Sequence, residues 1–189
     1  MSALHEFVHS HPAYACCIRT LEDSSKDDGG FALSTSECDV LNFDEVAKIH
    51  LAENKYNGAF SSVDAVYITS SGYIYFIEFK NGNTIKRDEI NHKACASLIL
   101  AHDLKLIPSL DYAKSCGIHI IVYNSSRQKG IENYKTYARL RKLSNRECRL
   151  QQAKNLDWLF FDSLSYNQDE FEREFIQKIV EPEYQKISS

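Results

Sequence analysis

Glycine and proline are scarce in this chain, seven and three among 189 residues. No internal repeat or low-complexity tract accompanies them, which excludes solenoid and linker-like architectures. No apolar run approaches the ~20 residues of a membrane-spanning helix, so no membrane association is expected. The six cysteines (Cys16, Cys17, Cys38, Cys95, Cys116 and Cys148) show no C-x-x-C spacing and no framework. Together with scattered histidines they form no zinc pattern. With no secretory signal at the N-terminus, they read as reduced thiols in a cytoplasmic protein. Phosphate-loop, dinucleotide-binding and nucleophile-elbow glycine motifs are all missing, which removes support for those three chemistries.

What is present is ordinary globular material. Apolar residues make up 43% and charged residues 25% of the chain, enough of both to bury a core in one domain spanning residues 1–189. Aromatics are plentiful and bring large burial per residue. The net charge of −4 does not announce a nucleic-acid binder, but its distribution is uneven. Arg127 to Lys154 holds nine basic residues, Arg139, Arg141 and Lys142 among them, against Glu132 and Glu147. Such a run either creates a local field that attracts phosphate or is a solvated helix face.

The stretch Ser61 to Asn81 has two apolar runs around a polar turn, interrupted by Asp64, Glu78 and Lys80. A strand alternates its side chains, so Glu78 and Lys80 share a face with Ile74 and Phe76, while Tyr73, Tyr75, Ile77 and Phe79 line the other. Both faces are apolar, which predicts a strand covered on both sides. A three-residue loop, Ser70-Ser71-Gly72, with glycine in the left-handed position pairs Thr69 with Tyr73. Counting along that ladder sets Asp64 opposite Glu78, on one face and with Cβ atoms roughly 4.5–5.5 Å apart. Two carboxylates that close call for a cation, and a hard divalent ion suits them. A same-face ion pair beside an aspartate at the start of a strand is the plainer alternative.

Asp64, a turn, then Glu78-Phe79-Lys80 at the end of a second strand resembles the PD-(D/E)XK superfamily of restriction-endonuclease-like nucleases. Ser62-Val63 stands where the family name has a proline. The resemblance covers Asn42 to about Tyr123. It implies an α/β fold with a restriction-endonuclease-like core, a mixed central sheet flanked by helices in the order αβββαβ, carrying helical N- and C-terminal additions. It further implies a metal-dependent nuclease acting on DNA or RNA. Asp64 and Glu78 would bind Mg²⁺ or Mn²⁺ with the backbone carbonyl of Phe79, and Lys80 would complete the catalytic set. A helix before the sheet often adds an acidic ligand in this family, for which Glu45 or Asp44 is the candidate. A basic residue on the following helix can touch phosphate, which nominates Lys93. A non-catalytic module on the same fold, binding nucleic acid or protein, is the rival; a homodimer is compatible with either.

The flanks are read from local signals. Asn42 predicts an N-cap before a helix with Asp44 and Glu45 in its first turn. Ile85 to Leu106 reads as a long helix, and Gly117 to Tyr123 as a buried strand holding His119. His5, His9 and His11 lack acidic companions. Tyr14 to Thr20 is helix or strand, Glu22 to Gly30 a loop, and Phe31 to Val40 a region with a short strand. Trp158 to Phe161 reads as a strand or core segment. A C-terminal segment over about 127–182 combines the basic stretch, read as a helix, with an amphipathic helix at Asp169 to Val180.

Overall fold

The computed structural model describes residues 3–55, 60–82, 85–127, 156 and 158–188. Arg139, Arg141, Lys142 and the rest of the expected basic helix lie outside the described residues. The fold is α/β, with helices around a mixed, open sheet of six strands arranged in sequence order. The strands are β1 (Ile18–Thr20), β2 (Asp39–Asn42), β3 (Ala65–Ile68), β4 (Ile74–Lys80), β5 (Gly117–Tyr123) and β6 (Asp162–Asn167). The first four pair antiparallel; β4, β5 and β6 run parallel.

The chain enters through α1 (Ala3–Ser10) and a 3₁₀ turn at Pro12–Cys17, and α2 (Leu21–Ser24) follows β1. Helix α3 (Phe43–Glu53) starts where expected, because the Asn42 side chain accepts the Glu45 N–H at 3.0 Å. Helix α4 (Arg87–Asp103) follows β4, and α5 (Leu110–Cys116) leads directly into β5. Between α3 and α4 the described residues hold two strands, not the three expected, with β2 preceding α3. The C-terminal helix begins as α6 (Gln168–Phe171), widens to π geometry over Glu172–Val180 and returns to α-helix as α7 (Glu181–Ser188). Among the described residues, no helix is long and apolar enough to cross a membrane.

Each face of the sheet has its own apolar layer. Phe43 and Val46 of α3 and Ile90, Ala94 and Leu98 of α4 cover Leu41, Val66, Phe76 and Ile121. On the other side Phe171, Phe175, Ile176 and Val180 cover Val40, Tyr75, Ile77 and Val122. Alternation along β4 decides which side chain goes where: Ile74 and Phe76 face α4, while Tyr75 and Ile77 face the C-terminal helix. The β3–β4 register is set by the turn. Thr69 N–H donates to Tyr73 O at 3.0 Å and Gly72 N–H to Thr69 O at 3.1 Å, with Gly72 at φ +87°. A side chain there would be strained, and its Cβ would also lie 2.9 Å from the Tyr112 hydroxyl. That hydroxyl donates to Gly72 O at 2.8 Å and clasps the turn to α5.

Two expectations are revised. Trp158 to Phe161 is a turn, with Phe160 in the core and Trp158 and Phe161 exposed. The strand is the next segment, β6, whose serines and asparagine hide it from a hydrophobic-pattern reading. Tyr14 to Thr20 divides between the 3₁₀ turn and β1.

Candidate active site

The ladder Ala65↔Ile77, Val66↔Phe76, Tyr67↔Tyr75 and Ile68↔Ile74 ends at Ala65, and its register brings Asp64, one residue before, level with Glu78. Asp64 lies just before β3, and its Oδ2 accepts the Phe79 N–H at 2.6 Å. In a strand, the carbonyl and N–H of one residue point to the same side, so the Phe79 carbonyl is directed to the β3 side of β4. Glu78 is almost fully buried, at 1% exposure.

Helix α4 supplies the rest. Glu89, Lys93 and Ser97 are spaced by four residues and therefore share one face. Ser97 Oγ accepts the Val63 N–H at 2.8 Å, anchoring the helix beside Asp64. Lys93 Nζ lies 3.3 Å from Asp64 Oδ1, 2.9 Å from Glu78 Oε1 and 3.1 Å from Glu78 Oε2. Glu89 hydrogen-bonds Lys80, whose Nζ stands 2.9 Å from Glu78 Oε1. Two ammonium groups thus flank one buried carboxylate oxygen. Among the described residues, no hydrogen bond of normal geometry reaches that oxygen.

The electrostatics follow from burial and these neighbours. Burial, reinforced by the Asp64 charge, pushes the Glu78 carboxyl up to about 8, against the pull of Lys93 and Lys80. Asp64 is also raised, by burial, with Lys93 and the Phe79 N–H opposing. Burial disfavours both ammonium groups, yet Glu78 with Glu89 holds Lys80 above its ordinary value, and Asp64 with Glu78 does the same for Lys93. Both lysines are therefore cations at neutral pH.

A comparison with family models, curated proteins and solved structures finds no match.

The remaining candidates sit at a neighbouring cleft of about 300 Å³. Asp44, Glu45, Asp64 and Phe79 line it with Asp23 of α2 and Asp27 from the loop after it, alongside Lys26 and Lys48. Asp44 Oδ1 accepts the Ser62 hydroxyl at 2.6 Å, and its charge raises the Asp64 carboxyl. Glu45 is paired with Arg19 at 3.0 Å. Among the described residues, no group of three or more His, Cys, Asp or Glu comes together as a metal-holding set. The centre is thus two carboxylates and two lysines. Glu89 was not singled out from the sequence, although its spacing of four from Lys93 marks the two as sharing a helix face.

Past the end of β4 a polar chain ties three segments together. Asn124 donates to Asn81 at 2.8 Å, Asn81 hydrogen-bonds Asp27, and Arg127 stands 3.6 Å from Asp27 and over the Phe31 ring. It fixes the loop after α2 against the strand end that carries Lys80.

Proposed function

We propose that this chain is a metal-dependent nuclease on a restriction-endonuclease-like fold, hydrolysing phosphodiester bonds of DNA or RNA. The observation that carries the reading is the meeting of Asp64, at the entry to β3, with Glu78 of β4 around Lys93, with Lys80 two residues beyond Glu78 and 2.9 Å from its Oε1. The donor set fits a hard divalent ion: carboxylate oxygens, one of them buried and contacted only by charge, and a strand carbonyl at the same edge. Asp64, Glu78 and the Phe79 carbonyl would hold Mg²⁺ or Mn²⁺, with Asp44 or Glu45 at the cleft beyond. Such an ion polarises a phosphate and lowers the pKa of bound water.

The residues of the chain divide the remaining work. Glu78 and Glu89 hold Lys80 above its ordinary value, which favours its ammonium form. From that position it orients the attacking water and offsets the charge that develops on phosphate. Lys93, Arg139, Arg141 and Lys142 are proposed contacts to the nucleic-acid backbone. The acidic lining of the cleft makes phosphate entry unfavourable without a cation, which supports metal dependence.

A titration of Mn²⁺ followed by calorimetry, with wild type and Glu78→Ala, tests the centre. Binding that disappears in Glu78→Ala is the expected result, with nuclease activity lost in Asp64→Ala and reduced roughly 10²–10³-fold in Lys80→Ala. Failure of the wild type to bind Mn²⁺, with or without a phosphodiester substrate, overturns it. The second reading, a non-catalytic module for nucleic acid or a protein partner, is favoured by one observation: Lys93 already contacts both carboxylates. Salt-sensitive binding of nucleic acid without cleavage would favour that reading.

A further inference from the structure

Lys93 is held at the centre by the fold and not by chance packing of a long side chain. Its neighbours on α4 fix it from both sides: Ser97 by the hydrogen bond to Val63 N–H, Ile90 and Ala94 by burial in the core. Its ammonium reaches Asp64 Oδ1 and both oxygens of Glu78, so one cation joins the two carboxylates that oppose each other across β3 and β4. We propose that Lys93 is an internal counter-ion that competes with the divalent ion for Asp64 and Glu78, and thereby sets the metal affinity of the centre. This rests on the nuclease reading, which places the metal on the same two carboxylates.

The physical reason is direct. The carboxylate oxygens that a divalent ion would take are those the ammonium contacts, and two cations brought together there repel. Metal binding therefore carries the free energy of releasing Lys93. Lys80 differs: it shares Glu78 Oε1 with Lys93 but is also paired with Glu89, and it does not touch Asp64 among the described residues.

The test is Mn²⁺ titration calorimetry on wild type, Lys93→Met, Lys93→Arg and Glu78→Ala, each first stripped with a chelator. Lys93→Met should bind Mn²⁺ at least about tenfold more tightly than wild type, because a competing charge is gone. Lys93→Arg should bind more weakly than wild type, because a guanidinium forks onto carboxylates and is harder to displace. A purely structural lysine predicts the opposite for Met: loss of its support would weaken binding. If wild type binds and Glu78→Ala does not, while Lys93→Met fails to tighten, the competition is wrong and the metal centre stands. If neither wild type nor Lys93→Met binds, both fall. Should Lys93→Met fail to fold, weaker binding by Lys93→Arg supports the competition, and equal or tighter binding overturns it.

Discussion

Two neighbouring strands each bury a titratable side chain, and they treat it in opposite ways. Glu78 on β4 and His119 on β5 are both essentially inaccessible, at 1% and 0% exposure. Around Glu78 the chain gathers Lys80 from its own strand, Lys93 from α4 and Asp64 from the segment before β3. Around His119, among the described residues, neither ring nitrogen has a hydrogen-bond partner, and the ring lies 5.4 Å from that of Phe160. Burial alone drives the imidazole down to about 3, a neutral ring that behaves as a core residue. A perturbed pKa therefore does not mark a site by itself; convergence of charged partners does. His119 is packed among apolar neighbours, whereas Glu78 sits in a cluster of charges.

The contrast can be broken most forcefully at Lys93. Removing it leaves part-buried Asp64 and buried Glu78 bridged by no cation, although Lys80 still contacts Glu78, so Lys93→Ala should lose about 1.5–3 kcal/mol, read by urea denaturation in a chelating buffer. A loss below about 1 kcal/mol would make the contacts incidental.

pH separates the two residues by sign. The folded Glu78 carboxyl titrates at about 8 against 4.5 for the free side chain, so the fold keeps a proton that the unfolded chain has lost. Its contribution is full below pH 4.5 and is lost as pH rises through 8. His119 works the other way: the unfolded ring takes a proton below about 6.5 and the folded ring only near 3, so stability falls on acidification across that window. Stability measured from pH 4 to 9 should lose its alkaline slope in Glu78→Gln and part of its acid slope in His119→Leu. An unchanged alkaline slope in Glu78→Gln would show that Glu78 is ionised throughout.

The smallest effect sharpens the comparison from the other side. His119→Leu should gain about 1 kcal/mol at pH 7, since an apolar side chain replaces a polar one with no partner. Destabilisation in a thermal melt would mean the ring has a partner after all.

This difference also explains what could be read in advance. The register of the β3–β4 hairpin was legible because a three-residue loop and a period of two leave one choice. The Asn42 cap was legible for a similar local reason. The contacts that Glu89 and Lys93 make were not, because they depend on how α4 docks across the sheet. β6 escaped notice because Ser163, Ser165 and Asn167 are buried polar residues in a strand, which pattern reading assigns to a loop. Local geometry was readable; docking between distant elements was not.

The hairpin that aligns Asp64 with Glu78 has a consequence for the order of folding. A contact closed by so short a loop forms early, whereas Lys93 arrives only when α4 docks. The two carboxylates therefore meet before Lys93 reaches them, and the nascent hairpin carries a like-charge repulsion that Lys93 offsets in the finished fold. Asp64→Asn should then refold faster than wild type in stopped-flow measurements, whatever it does to the final stability. Equal refolding rates would place the docking of α4 before closure of the hairpin.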